Sequence, residues 1–500
     1  MRKNLFTQQK LSDLATPYPD RIKRRIRKRD IDGAIKLTEE MAGSRIILHD
    51  FFADSCTILW SWIGDHFGED AIDPMFRYIF ARSAKRQFFD AAGAQVMPHL
   101  SVYLLAKSWR AHSCFGKGEH PGEFSITEDA DKFTFHLHPC GSGSRLWKKG
   151  WYAPGAGGKL SEAKHPWTYN RKNFPYYCIH CPFLNEILPY ESTYGALLWP
   201  VDPPVDDSDT CAWHIYKNPN NIPTHYYDRM GLTKKIIATG PYPACKKPFF
   251  TENELLEMAR PMTDRIIEKL TAGDATTALK LCRKVKDEFL VLHDLYVNML
   301  ASTLSFISDM DGEKAVGDAL SHQYDLCVNR QIIEPFSKMH IREKATFLAN
   351  HIFGTDHCNG AGYYPGKFQI NETDTKIIFT LNPCGSGGRL LRAGADKPAG
   401  NSKKWRERIE TGFITFLSHH LPLPEPLVRS VFPLMVTHFT QRKPFGLGKT
   451  ANPHAWSFNR PGIPYFCCQC GMVQQKLGTD HFRIIPPTHR RDACVWELKK

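Results

Sequence analysis

The chain has 500 residues, of which 42% are hydrophobic, and a formal net charge of +13 at neutral pH. This length and composition describe a globular chain with room for two or more hydrophobic cores. No apolar run in the sequence reaches the ~20 uncharged residues of a membrane helix, and the N-terminus lacks the apolar region of a secretory signal. We therefore expect a cytosolic protein without a membrane partner.

Much of the positive charge is local. The stretch RIKRRIRKR (21–29) holds seven basic residues and no acidic one. Such a run is typical of a solvated helix face, and a nucleic-acid or other acidic partner is the less favoured alternative.

Residues 32–112 are predicted to be helical. From Ile46 onward, apolar residues recur at the i, i+3, i+4, i+7 spacing of a packed helix, which we expect to end at Gly64 and Gly68. Pro74 fits the first turns of the next helix, where its missing N–H costs little. A further helix is predicted over 97–112.

After Cys114 the pattern changes to short strands and loops. Residues 122–139 alternate around an acidic turn and predict a β-hairpin, and 211–217 predict another strand. Helices followed by a small β region indicate an α+β fold.

The eight residues HPCGSGSR (138–145) return as NPCGSGGR (382–389), with the two prolines 244 positions apart (383 − 139 = 244). The same offset aligns 5–146 with the second half without a gap. Later segments align at 289 (454 − 165) and 283 (494 − 211). The sequence therefore predicts a tandem duplication of one module, too long to be a solenoid repeat.

We predict that each module is a helical bundle followed by a small cysteine-containing β subdomain. The predicted boundaries are 1–217 for the first module (helical 5–112, cysteine-rich 113–217), 218–250 for a linker, and 251–500 for the second module (helical 251–356, cysteine-rich 357–500, with an insertion near 392–440).

Ten of the fifteen cysteines fall at equivalent positions of the two halves, and each half has one C-x-x-C pair. This spacing lets two thiolates hold one tetrahedral ion. The predicted metal ligands are Cys140, Cys178, Cys181 and Cys211 in the first half and Cys384, Cys467, Cys470 and Cys494 in the second, with Cys114 and Cys358 in reserve. We expect zinc, with an iron–sulfur cluster as the alternative. A reduced thiol pair in a small core and a redox disulfide are the other interpretations.

The repeated loop suits an anion. Gly141, Ser142 and Gly143 can converge their N–H groups into a nest, and Arg145 can hold a carboxylate or phosphate. Cys140 would then be a metal ligand beside the anion or a nucleophile. A tight turn in which the glycines only satisfy steric demands would produce the same pattern.

The first half has His136, His138 and His180 beside its cysteines, where the second has Thr380, Asn382 and Gln469. Because histidine adds acid–base chemistry, we place the reactive site in the first half, with His138 or His180 transferring protons. The second half would then be a degenerate site with a scaffolding or binding role.

Two further residue pairs recur in both halves. His49–Asp50 could be a base with its orienting partner or a satisfied polar pair, and the second half repeats it as His293–Asp294. Asn170–Arg171 could line the anion pocket or brace the C-x-x-C loop.

Together these features favour a cytosolic metal-dependent enzyme, with hydrolase or lyase-type chemistry, that acts on a small anionic substrate. The alternative is a non-catalytic binding protein with two zinc-braced modules, an RNA- or ligand-binding regulator. A closed four-thiolate site counts against catalysis unless one ligand is replaced.

Overall fold

The structure is a computed structural model. It describes residues 4–82, 98–112, 114, 116–191, 195–206, 210–237, 248–354, 360–362, 364–398, 445–479, 482–487 and 489–500. The predicted insertion near 392–440 lies outside these residues from 399 onward, as does Cys358.

Helices make up most of the described chain. In chain order the α-helices of four residues or more are α1 (Gln8–Leu14), α2 (Tyr18–Arg27), α3 (Ile31–Phe67), α4 (Ile72–Arg82), α5 (Pro98–His112), α6 (Gly143–Lys148), α7 (Thr224–Asp228), α8 (Glu252–Ala259), α9 (Met262–Thr271), α10 (Ala275–Gln323), α11 (Glu334–Ser337), α12 (Ile341–Phe347), α13 (Gly387–Ala393) and α14 (Tyr465–Leu477). Wider π-helical turns at Tyr324–Ile333 and Leu348–Phe353 continue α10 and α12.

Eight described strands form two four-stranded antiparallel sheets. The strands are β1 (Phe124–Glu128), β2 (Lys132–Leu137), β3 (Val201–Asp202), β4 (Cys211–Tyr216), β5 (Phe368–Glu372), β6 (Lys376–Leu381), β7 (Phe482–Ile485) and β8 (Cys494–Lys499). The orders are β1-β2-β4-β3 and β5-β6-β8-β7. Mixed helices and small antiparallel sheets confirm the α+β class.

The helix predicted from Ile46 ends at Phe67, and Gly68 follows with a φ of +82°. The prediction that Gly64 also marks the end is wrong, because α3 continues through it. A Cβ at Gly64 would come within 2.5 Å of the Tyr176 ring, so this glycine serves close packing. In α10, Gly312 has a φ of +76° and interrupts the helix at a kink.

The chain divides into two compact units that do not follow the order of the predicted modules. Of the described residues, the first unit combines 4–62 and 262–398 with 445–500, and the second lies within 63–261.

In the first unit, helices from the start and from the middle of the sequence share one core. Tyr18, Ile22 and Ile26 of α2 pack with Met262, Ile266 and Leu270 of α9, and all six side chains are buried. These residues fall at equal offsets along two amphipathic helices, so each helix covers the apolar stripe of the other.

The second core of the first unit joins α1 to the sheet β5-β6-β8-β7. Leu11 and Leu14 belong to the same buried cluster as Phe368, Phe379 and Leu498. The carboxylate of Glu372, at the end of β5, accepts the N–H groups of Leu5 (2.6 Å) and Phe6 (3.0 Å). This pair of bonds satisfies the backbone just before α1 and holds it against the sheet.

The second unit shows the same arrangement with different segments. The carboxylate of Glu128, at the end of β1, accepts the N–H groups of Phe249 (2.7 Å) and Phe250 (3.1 Å), just before α8. Lys217 pairs with Glu128 at 2.8 Å. The segment before each of these two helices is therefore fastened to a sheet by one carboxylate.

Part of the predicted linker 218–250 is folded. Asn218 caps a short 3-10 turn, and α7 follows within the second unit. Tyr226 donates a hydrogen bond to Asp202 (3.0 Å), and Arg229 pairs with buried Glu186 at 3.1 Å. The structure describes this stretch up to residue 237 and again from 248.

Among the described helices, one continuous run, Ala275–Ser337, is long and apolar enough to cross a membrane by length and composition. Of its most apolar window, 88% is buried inside the protein, as in a core helix. Burial against other helices of the first unit accounts for the apolar composition of α10.

Candidate functional site

The two Gly-rich loops start in the same way. Each follows a central strand, β2 or β6, through a cis X–Pro bond, and leads into a short helix, α6 or α13. The cysteine is the first residue after the proline. The loop therefore sits at the end of the sheet, where a change from strand to helix leaves backbone N–H groups without partners.

Those N–H groups converge on the cysteine sulfur of the loop itself. The sulfur of Cys140 accepts the N–H groups of Ser142, Gly143 and Ser144, and that of Cys384 accepts those of Ser386, Gly387 and Gly388. Burial raises the pKa of both thiols, although these hydrogen bonds act to lower it. The predicted nest thus holds a sulfur.

In the second half, the four predicted ligand cysteines border one cavity. This inner cavity has a volume of about 150 Å³ and is bordered by Cys384, Cys467, Cys470, Cys494, His351 and apolar side chains that include Phe336, Phe353, Phe466 and Trp496. Burial raises the pKa of Cys467, and the nearby Cys384, Cys470 and Cys494 raise it further.

The first thiol of each C-x-x-C pair leaves no room for a side chain at one glycine of the neighbouring Gly-rich loop. A Cβ on Gly387 would overlap the sulfur of Cys467, and one on Gly143 would come within 2.6 Å of the sulfur of Cys178. The close approach of loop backbone and C-x-x-C thiol therefore recurs in both halves.

In the first half, three of the four predicted ligand cysteines are close enough to influence one another. Burial raises the pKa of Cys178, and Cys140 raises it further. Cys140 and Cys178 likewise add to the effect of burial on Cys211. The sulfur of Cys181 lies 3.6 Å from Nε2 of His180.

Among the residues that the structure describes, no three His, Cys, Asp or Glu side chains converge on a position for one metal ion. The described cysteines carry free thiols. A metal bound by these cysteines therefore stays a prediction. Of the two reserve ligands, Cys114 is buried in the second unit and Cys358 lies outside the described residues.

The histidines predicted to react occupy different surroundings. His138 is exposed, and its ring stacks on that of His136 at a centroid distance of 6.0 Å. Burial lowers the pKa of His136, and the neighbouring His138 lowers it further. Nδ1 of His180 contacts the carbonyl oxygen of Tyr177. The structure thus brings His180, and not His138, against a cysteine of the C-x-x-C pair.

Both His–Asp pairs are formed. Nδ1 of His49 lies 3.0 Å from Asp50, and Nδ1 of His293 lies 3.1 Å from Asp294. Nε2 of His293 also lies 2.8 Å from the hydroxyl of Ser386 in the Gly-rich loop. Both imidazoles are almost fully buried. In the second half, the pair therefore anchors the loop.

The arginine that ends each loop was predicted to hold an anion. In the second half, Arg389 holds the carboxylate of Asp294 through two hydrogen bonds of 2.9 and 3.1 Å. Arg145 is 5% exposed. The anion that Arg389 binds in this structure is therefore a side chain of α10.

The Asn–Arg pairs brace neighbouring loops. Asn170 and Asn459 both adopt left-handed backbone conformations. Arg171 donates to the carbonyl oxygen of Pro204 (2.8 Å), and Arg460 donates to that of Pro486 (3.3 Å). Each guanidinium thus ties the loop before the C-x-x-C pair to a proline pair of its own half.

A second cavity, which sequence reasoning missed, opens beside Cys467. This basic pocket has a volume of about 490 Å³ and is bordered by Cys467, Lys449, His489, Arg490, Arg491, Asp396, Pro486 and Pro487, among others. It shares Cys467, Pro486 and Pro487 with the inner cavity.

The charge of the basic pocket is positive. Arg490 pairs with Asp396 at 2.9 Å, and Lys449 reaches the same carboxylate at 3.4 Å. Three permanent cations, Lys449, Arg490 and Arg491, and one carboxylate thus border the pocket. The sequence carried a signal for this pocket. At the 283 offset, His489 and Arg490 align with Asp206 and Asp207, so the second half has basic residues where the first half has acidic ones.

The predicted basic run lies on α2, where several of its charges are paired. Arg21 is buried over the ring of Tyr18 and donates to Asn350 (2.9 Å). Lys23 pairs with Asp20 (2.6 Å), Arg24 with Asp13 (2.8 Å) and Arg25 with Asp30 (2.6 Å). These contacts account for much of the run within the first unit itself.

Comparisons with protein-family models, with curated proteins and with solved structures find no match for this chain.

Proposed function

We propose that the chain is a metal-dependent enzyme in which cysteine thiolates hold a soft metal and a small anionic substrate binds beside it. The observation that carries this proposal is the junction at Cys467. This residue borders the inner cavity, together with three more cysteines, and it also borders the basic pocket. Thiolates suit zinc and iron–sulfur centres, which are the two predicted cofactors.

The basic pocket supports an anion at this position. A carboxylate or phosphate would lie between Lys449, Arg490 and Arg491, next to a thiolate-held metal. A metal with one open or exchangeable position would polarise an oxygen of the anion, which suits hydrolase or lyase-type chemistry.

A binding measurement tests the anion site. We expect inorganic phosphate to bind the full chain, and Arg490→Gln with Arg491→Gln to weaken that binding by about tenfold or more. Lys148→Gln with Lys149→Gln removes the same charge elsewhere and should leave binding unchanged. Equal affinity in both double variants would overturn the anion site.

The sequence predicts the reactive site in the first half, and this competing location depends on the histidines of that half. His138→Asn with His180→Gln would remove proton transfer while retaining the fold. Activity that survives this double variant but is lost with the Arg490 and Arg491 variants would transfer the reactive site to the second half. The thermal unfolding midpoint separates a loss of activity from a loss of fold.

We also propose that the two halves arose by tandem duplication. The support is the constant offset of 244 in the sequence together with the equal strand orders of the two sheets. Glu128 and Glu372 are related by the same offset (372 − 128 = 244), and each fastens the segment before one helix. An experimental structure in which 5–146 and 249–390 fail to superpose would contradict it.

The alternative, a non-catalytic zinc-braced RNA- or ligand-binding regulator, depends on the basic run. Its ion pairs on α2 reduce the charge available to a polynucleotide. Nucleic-acid binding would weaken steeply between about 50 and 200 mM salt. We therefore retain the enzyme as the proposed function.

A further inference from the structure

The inner cavity is larger than a site for a single ion. Four sulfurs around one zinc lie ~2.3 Å from it and ~3.8 Å from one another, which leaves no open space between them. Here the cavity that Cys384, Cys467, Cys470 and Cys494 border is about 150 Å³, comparable with an engineered protein cavity that holds a benzene molecule. A group of several atoms fits this volume.

The four cysteines come from three separate elements. Cys384 lies in the Gly-rich loop, Cys467 and Cys470 lie in α14, and Cys494 is the first residue of β8. On a helix, side chains at i and i+3 have Cβ atoms about 5–6 Å apart. That separation suits two different iron atoms of one cluster.

The surroundings suit a group with negative charge in an apolar chamber. Cys384 accepts three backbone N–H groups, and hydrogen bonds to ligand sulfurs are a main control on iron–sulfur centres. Cys467 and Cys470 are the third and sixth residues of the 13-residue helix α14, near its positive end. Of the described residues that border the cavity, none is Asp or Glu.

One residue that borders this chamber has a buried polar atom without a partner among the described residues. Nδ1 of His351 has no hydrogen-bond partner among the described residues, although the atom is removed from solvent. The residue borders the inner cavity, whose other members are almost all apolar side chains and thiols. An occupant of the cavity would relieve the cost of this orphaned atom.

We propose that the inner cavity of the second half binds an iron–sulfur cluster through Cys384, Cys467, Cys470 and Cys494. This rests on the proposed function and names its cofactor. The cluster would lie in the cavity that shares Cys467, Pro486 and Pro487 with the basic pocket.

The test is the composition of the full chain purified without oxygen. We expect iron and acid-labile sulfide in equal amounts, with a broad visible absorption band. Cys467→Ser with Cys470→Ser should reduce both by about tenfold or more. Cys468→Ser should retain them, since Cys468 is a buried neighbour in α14 and does not border the cavity.

The possible outcomes separate the two proposals. Stoichiometric zinc without iron or sulfide would overturn the cluster and leave the metal-dependent function standing. No bound metal of any kind would overturn both. Iron and sulfide that persist in the second-half variant but are lost in Cys178→Ser with Cys181→Ser would place the cluster in the first half and overturn this inference. The wild-type composition decides between the first two outcomes even where a variant fails to fold.

Discussion

Arg389 and Asp294 form a two-pronged ion pair, with hydrogen bonds of 2.9 and 3.1 Å, that joins the Gly-rich loop of the second half to the middle of α10. The adjacent His293 reaches Ser386 of the same loop at 2.8 Å. Two neighbouring residues of one helix thus hold both ends of the segment that carries the N–H groups around Cys384. The position of that thiol depends on the helix as well as on the loop.

Asp294→Asn should therefore destabilise the protein by about 1–3 kcal/mol, because the largely buried guanidinium of Arg389 loses its ionised partner. Lys314→Ala is the control, since its ion pair with Asp318 is exposed and screened by solvent and should contribute little to stability. Urea unfolding of the three proteins measures the difference. Equal effects of the two substitutions would contradict a structural role for Asp294.

Gly387→Ala should disturb the cysteine cluster. The added Cβ would overlap the sulfur of Cys467, so the loop and α14 must separate, at a cost of about 1–3 kcal/mol. Bound metal and thermal midpoint should both fall. Gly43→Ala is the matched control in α3, where a Cβ meets open space, and it should be neutral or slightly stabilising. An unchanged metal content in Gly387→Ala would contradict the close approach.

The pH dependence of stability should reveal Glu186. Burial raises the pKa of this carboxyl to about 7, although Arg229 and Tyr169 act to lower it. The contribution of Glu186 to the free energy of unfolding is fully present below its ordinary pKa of ~4.3. It declines as pH rises from there through about 7, because in this pH range the carboxyl ionises in the unfolded state and not in the folded state. Relative to Glu186→Gln, the free energy of unfolding of the wild type should fall by on the order of 2–3 kcal/mol over this pH range.

Urea unfolding between about pH 4.5 and 7.5 measures this loss. Glu191→Gln is the control, because Glu191 belongs to an exposed ion pair with Arg77. A difference between wild type and Glu186→Gln that stays constant over the range would disprove the raised pKa.

Amide hydrogen exchange should report separately on the segment before α1 and the segment before α8, each of which is held by one carboxylate. Glu372→Gln removes the carboxylate that accepts the N–H groups of Leu5 and Phe6, so exchange should accelerate in 5–14. Glu128→Gln should accelerate exchange in 249–259 by the same mechanism. Each variant is the control for the other. Faster exchange in 249–259 for Glu372→Gln would mean that the segments are not held as the structure shows.

Salt dependence should separate a small anion from a polynucleotide. Phosphate bound at Lys449, Arg490 and Arg491 involves few charges, so its affinity should fall only modestly between about 50 and 200 mM salt. A fall of 10³-fold or more over that range for a single-stranded RNA would favour the regulator instead.

The sequence by itself predicted the α+β class, the long helix that ends at Phe67, the hairpin β1–β2 and the strand from Cys211. Each of these depends on local periodicity or on turn residues, which short segments express without their neighbours. It also singled out the cysteines that border the inner cavity. The basic pocket was missed because its cations come from separate loops, at Lys449 and at 489–491.

Only the tertiary structure decided which segment packs on which sheet. The apolar side of α1, with Leu11 and Leu14, packs on β5, more than 350 residues away, and α8 takes the equivalent place on β1. The helices α1 and α8 have similar sequences, and the two sheets present similar apolar faces. The amphipathic pattern therefore does not tell whether α1 packs on β5 or on β1. The role of Arg389 was settled in the same way. Its partner, Asp294, is 95 residues away and is specified by packing rather than by spacing along the chain.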